Sequence, residues 1–285
     1  MTCRILFSLF VLLAFNLQLK AQATVLTENG ERLQNRPLPL NSPYEKTQEA
    51  AMPILAYDHI RQADVFWEKR VWRVIDVREK MNKSFSYPQN PLISILLRGI
   101  QNGEVTAYDA IDDKFSTPIN HADIEQQLFQ SDTISTYDPD TYEETLTVVQ
   151  NEFNPEDVKR FRIKEVWFFD EETSTLKVRI LGIAPLKEDY DDNGNLRFEY
   201  PMFWVHYPHI RQYLATEVAF NPVNEAHPLN WEHLMEARFF ASTIVKASNV
   251  HDRRIEDYKS GTDALYEALK IEEEILNFEH DLWSF

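Results

Sequence analysis

IKEVWFF (Ile163–Phe169), DEETS (Asp170–Ser174) and LKVRILGIA (Leu176–Ala184) decide the fold. The outer two runs are rich in β-branched and aromatic residues and alternate in character. They flank a polar turn, which is the signature of a β-hairpin. Working outward, Thr133–Tyr137 and Thr145–Gln150 flank Asp138-Pro139-Asp140 as a second hairpin, and Asn154-Pro155 opens a short helical turn. Arg197–Tyr200 and Met202–His206 add two strands, and Val105–Tyr108 reads as a short one.

Helical signals gather at the two ends. Trp67, Val71, Val74, Ile75 and Met81 recur at helical spacing, and Asp76/Lys80 and Glu79/Lys83 are acid-before-base pairs, so a helix is predicted after Ala63. Asn90 as cap, Pro91 in the first turn, Leu92, Ile95 and Leu96 on one face and Gly103 as terminator predict a second. His121–Gln130 and Asn230–Asn249 are predicted as two more. The last, Asp263–Trp283, opens with Ser260 and Asp263 at capping-box spacing. Along it Ala264, Ala268, Ile271, Ile275, Phe278 and Leu282 form a heptad seam suited to core packing. The fold class is therefore α+β: an antiparallel sheet of hairpins in the middle of the chain, flanked by N- and C-terminal helices.

The N-terminus reads as a leader. Arg4 precedes an apolar run, Ile5–Leu17, and Leu19-Lys20-Ala21 forms a cleavage-like junction, so residues 1–21 are expected to be a signal peptide. The run is shorter than the roughly 20 apolar residues a membrane-spanning helix needs. Residues 22–57 read as an extended arm with Pro37, Pro39, Pro43 and Pro53. There Leu38 and Leu40, between the prolines, are the candidate partner-binding residues. Residues 58–285 are expected to form the globular α+β domain.

Cys3 is the only cysteine and lies before the apolar run, so the exported chain is expected to carry neither a disulfide nor a lipid. The net charge is -17, and a leader bearing Arg4 and Lys20 but no acid takes two positive charges with it. Such a chain is a poor ligand for nucleic acid or anionic lipid, and no membrane insertion is expected. Its 6 glycines build no phosphate-cradling loop and no nucleophile elbow. The 18 Phe, 12 Tyr and 6 Trp suit a packed core or broad contact surfaces.

Few residues suggest chemistry. His206 and His209 are spaced H-x-x-H, but Pro208 between them works against a shared helical face for a metal. Asp189, Asp191, Asn193 and Gly194 match the first half of a calcium loop. However, Tyr200 stands where the closing glutamate belongs, Glu199 comes one residue early, and Asp192-Asn193-Gly194-Asn195 is a good tight turn. No cofactor, metal or catalytic residue is assigned.

Six longer strings carry a resemblance: FWEKRVWRVIDVREKMN (Phe66–Asn82), GEVTAYD (Gly103–Asp109), NEFNPEDVKRFRIKEVWFFD (Asn151–Asp170), RILGIAPL (Arg179–Leu186), SNVHDRRIEDY (Ser248–Tyr258) and NFEHDLW (Asn277–Trp283). In this order they resemble the GldN/PorN family of the type IX secretion and gliding-motility machinery of Bacteroidetes. The resemblance implies a structural, non-enzymatic subunit in the periplasm, peripheral to the inner face of the outer membrane. It also implies partners: a GldK/PorK-like outer-membrane lipoprotein, further copies of the chain in a ring, and a GldM/PorM-like shaft protein. The residues alone leave a second class open, an exported hydrolase or calcium-binding protein using the Asp189–Glu199 loop or the His206/His209 pair.

Overall fold

A computed structural model describes residues 54–128, 131–137, 144–150, 153–190, 196–222, 224 and 229–283. Contacts divide the chain after Ala50, and these residues all belong to the second unit. The expected leader and Leu38, Leu40, Pro37 and Pro39 lie outside them.

The unit is α+β and built on one eight-stranded antiparallel sheet. Strand β1 is Val65–Asp76, β2 Ala107–Tyr108, β3 Pro118–Ile119, β6 Arg160–Asp170, β7 Thr175–Tyr190, β8 Leu196–Pro201, β9 Trp204–His206 and β12 Thr243–Ala247. Their order is β12-β1-β6-β7-β9-β2-β3, with β8 also paired to β7. The deciding hairpin is β6–β7, in register from Asp170↔Thr175 to Arg160↔Leu186. Strands β8 and β9 follow one edge of β7, meeting it at Leu186↔Pro201 and Ile183↔Val205. The predicted Thr133–Gln150 hairpin is present as β4 (Ser131–Tyr137) and β5 (Glu144–Gln150), which form a sheet of their own. Short strands β10 (Val218–Ala219) and β11 (Leu229–Asn230) make a third.

Two predicted helices are corrected. The stretch after Ala63 is strand β1, with alternating exposure from Val65 to Arg70 and then a wholly buried Val71-Trp72-Arg73. It runs between β12 and β6, and a strand covered on both faces loses its alternation and so imitates a helix. Asn230–Asn249 is helical only over Trp231–Glu236. Asn230 caps that turn by accepting the His233 amide at 2.6 Å, Arg238 takes a left-handed φ of 55°, and the β-branched Thr243-Ile244-Val245 joins the sheet as β12.

In chain order the helices are α1 (Leu92–Gln101), α2 (His121–Leu128), α3 (Tyr207–Thr216), α4 (Trp231–Glu236) and α5 (Thr262–Trp283). Asn90 does not cap α1. Pro91 holds that position, and the Asn90 amide donates to Val218 O at 3.4 Å. One face of the sheet is covered in two parts. Ile75, Phe161, Ile163 and Ile183 pack against Leu92, Leu96, Tyr207, Leu214, Trp231 and Leu234 of α1, α3 and α4. Val71, Ile244 and Ala247 pack against Ala268, Ile271 and Ile275 of α5, so the heptad seam is core. Phe278 stacks on Trp67 at 4.5 Å between ring centres.

The opposite face carries a smaller core of Trp72, Ala184 and Trp204, crossed by the loop 109–117. Asp112 folds that loop by accepting the amides of Lys114, Ser116 and Thr117 and the Ser116 hydroxyl; these bonds, the hydroxyl's first, hold its carboxyl at about 2. Trp72 Nε1 donates to Asp113 Oδ2 at 3.0 Å and Trp204 Nε1 to Ala110 O at 3.3 Å. Phe115, at a left-handed φ of 61°, lays its ring where Gly182 has no side chain. A Cβ on Gly182 would fall inside that ring's contact distance.

Candidate functional site

The two histidines come together despite Pro208. His206 ends β9 and precedes α3, His209 lies in its first turn, and their rings meet edge to face at 4.2 Å. Burial, then the charge of His209, pushes His206 below the usual imidazole value. Its Nδ1 is buried with no hydrogen-bond partner, and Phe115 closes the other side at 5.1 Å. Among the described residues no three metal-ligating side chains converge. In the other candidate, Asp189 lies on β7 opposite Phe198 and reaches Arg197 at 3.8 Å, while Asp191 and Asn193 lie outside the described residues. Glu199 is taken by Arg160 at 2.7 Å, which removes it as a ready cation ligand.

Sequence reasoning did not find the most elaborate polar arrangement. The Tyr57 ring is clamped by two guanidinium groups, Arg211 of α3 at 4.0 Å and Arg179 of β7 at 4.7 Å. Its hydroxyl donates to Glu236 Oε1 at 2.5 Å. Burial, then Glu236, pushes the phenol far above its ordinary value, so it remains a donor. Arg211 also donates to Glu232 Oε1 at 2.6 Å and Leu55 O at 3.0 Å, and Arg179 donates to Asp58 O at 2.7 Å. The clamp fixes where the chain enters the domain. Its parts come from residues 55–58, 179, 211 and 232–236, a spread that no local motif could reveal.

A second buried network lies between the two helical cores. Glu165 of β6 is fully buried and accepts from Arg238 Nη1 at 2.7 Å and Trp167 Nε1 at 3.2 Å. Arg73 Nε lies 3.4 Å from it, near enough for an ion pair but not aligned as a hydrogen bond, while Arg73 Nη2 donates to Glu272 of α5 at 2.9 Å. This network ties β1, β6, the residues after α4, and α5 together.

Apolar side chains also reach the surface. Leu265, Tyr266, Leu269 and Leu276 are all more than half exposed on the flank of α5 away from its core seam. Ile111 at the crown of the 109–117 loop and Val250 after β12 are 93% and 99% exposed. The four on α5 lie along one flank of the helix, the kind of surface that another protein can cover, whereas Ile111 and Val250 stand singly. No helix among the described residues is long and apolar enough to cross a membrane.

Comparison with known proteins agrees with the sequence strings. A search of curated proteins returns no match. The family model described as "Gliding motility associated protein GldN" matches residues 60–284, from just after the Tyr57 clamp to the end of α5. That span takes in every strand of the main sheet, and the chain belongs to the GldN family of gliding-motility-associated proteins.

Proposed function

We propose that the chain is a structural subunit of the type IX secretion and gliding machinery, exported to the periplasm and held against the inner face of the outer membrane. In this reading it assembles with a GldK/PorK-like lipoprotein into a large ring and meets the periplasmic part of a GldM/PorM-like shaft. It acts as a scaffold and not as an enzyme. The observation that carries the reading is the family match over residues 60–284. The exposed apolar positions of α5, Ile111 and Val250 lend it support, because a ring subunit needs separate contact surfaces for neighbours and partners. The arm is proposed to dock on the lipoprotein or on an adjacent copy of the chain through Leu38 and Leu40, with Pro37 and Pro39 lowering the entropy lost on docking.

The test is isolation of the native assembly from the cell envelope through a tag on this chain, followed by electron microscopy and mass spectrometry. A ring containing the lipoprotein is expected, with a mature N-terminus near Gln22. Recovery of the chain from the cytoplasm, or from the envelope without either partner, overturns the reading.

A further inference from the structure

One charged side chain of the main sheet is buried without the acceptor it needs. Arg162 of β6 lies on the face that carries Trp72 and Lys164, between Val74 of β1 and Ala184 of β7. The residue is 7% exposed. Its side chain donates no hydrogen bond among the described residues, and its Nε is sealed from solvent with no partner. The nearest carboxylate is Glu199, whose Oε1 lies 3.9 Å from Arg162 Nη2, beyond hydrogen-bonding distance. A guanidinium carries five N–H donors and stays charged in a protein, so losing the proton cannot relieve its burial.

The neighbouring cations are each provided for. Arg160 holds the other oxygen of Glu199 at 2.7 Å, Arg254 holds Glu256 at 3.0 Å, and Arg78 holds Asp76. These pairs cancel and leave Arg162 as a single positive charge. Burial, then the charge of Arg254, pushes it below the usual guanidinium range, although Glu199 and Glu256 act the other way. A buried charge left unpaired is among the costliest arrangements in a fold, and such costs gather at binding sites.

We propose that Arg162 is the receiving group of a contact site for one carboxylate, an aspartate or glutamate side chain of an adjoining protein. The leftover charge sets the valence. A monoanion neutralises it, whereas a phosphate dianion would set surplus negative charge against Glu199, Glu256 and Asp76. The guanidinium fork also matches the two oxygens of a carboxylate. A protein surface is the source because one guanidinium holds a free small acid only weakly in water. A carboxylate carried on a docked chain arrives at high effective concentration. That source rests on the scaffold reading above, and the site itself does not.

Thermal unfolding of the purified full chain tests the site, with sodium acetate standing in for the side chain and sodium chloride at equal ionic strength as the control. Acetate should raise the unfolding midpoint above its value in chloride, because a ligand of the folded state stabilises it. Arg162→Met should lose that rise. In chloride this variant should unfold at or above the midpoint of the native chain, because an apolar side chain replaces a buried charge that had no partner. Glu199→Gln frees Arg160 beside the site and should enlarge the acetate rise. An acetate rise that survives in Arg162→Met, a variant that unfolds earlier in chloride, or no enlargement with Glu199→Gln overturns the site. A larger Arg162-dependent rise with phosphate overturns the choice of a carboxylate. In cells, Arg162→Met should lower the amount of chain recovered in the native assembly, and unchanged recovery overturns the adjoining-protein source. A native chain that enters no assembly sinks that source together with the scaffold reading, while the acetate result decides the site on its own.

Discussion

Glu165 shows how far a single residue departs from what its place in a sequence suggests. In IKEVWFF it stands as one polar position of a half-exposed strand, yet its side chain is fully buried between Arg73 and Arg238. Nothing local announces this, because Arg238 lies 73 residues away on a left-handed turn. Removing one partner of a buried ion network strands the others, so Glu165→Ala should lower unfolding free energy by about 3–5 kcal/mol. Denaturant titration measures it, and a loss under about 1 kcal/mol would show the network to be dispensable. Asp76 offers a pH test at the end of β1. Hydrogen bonding from Arg78, opposed by burial and aided by Arg160, lowers its carboxyl from 3.8 to about 2. A depressed carboxylate stabilises the fold above the unfolded value. That contribution is therefore full above 3.8 and fades as the pH falls towards about 2. Asp76→Asn should flatten the stability–pH curve in that window and leave its shape at neutral pH unchanged.

Among the elements, the legible ones carry a second signal beside their period. Helix α5 carries a long single seam, and strands β6 and β7 are rich in β-branched and aromatic residues and flank the polar turn 170–174, so they are readable although β6 buries Phe161–Glu165 in an unbroken run. Strand β1 was not, because Val71, Trp72 and Arg73 are buried together and the run then matches a helical period as well as a strand. Helix α4 ends after six residues because Phe239 and Phe240 continue an apolar pattern in which the backbone turns at Arg238, and φ is not visible in side-chain periodicity. Within α5 the inner and outer stripes give opposite expectations. Ile275 is buried against the sheet and Leu269 is half exposed. Ile275→Ala should cost about 2–5 kcal/mol through lost packing and a cavity. Leu269→Ala should change stability by no more than about 0.5 kcal/mol. Thermal unfolding of the two variants side by side checks the assignment, and equal losses would mean that α5 is packed on both stripes.

At the scale of the whole molecule, the family was legible as a resemblance and the clamp was not legible at all. The strings that match the family are spread over the domain, whereas the clamp that closes it on the N-terminal side assembles from four distant stretches. Tyr57 has two consequences there. Its hydroxyl donates to a charged acceptor, worth about 1.5–3 kcal/mol, and its ring lies between two guanidinium groups, worth about 0.5–2 kcal/mol, with partial exposure discounting both. Arg211 and Arg179 also hold Leu55 O and Asp58 O, so the backbone on either side is fixed with the ring. A chain beginning at Ile54 therefore keeps every one of these bonds and should fold with the stability of the longer protein. A chain beginning at His59 loses them all and leaves Glu236 without its phenol. It should be less stable by about 2–4 kcal/mol, with Arg179 and Arg211 newly open to solvent. Tyr57→Phe in the longer chain isolates the hydroxyl and should recover the ring's share of the difference. Denaturant unfolding of the three proteins reads this directly. If the Ile54 and His59 chains unfold together, the clamp contributes nothing and the domain begins later than residue 57.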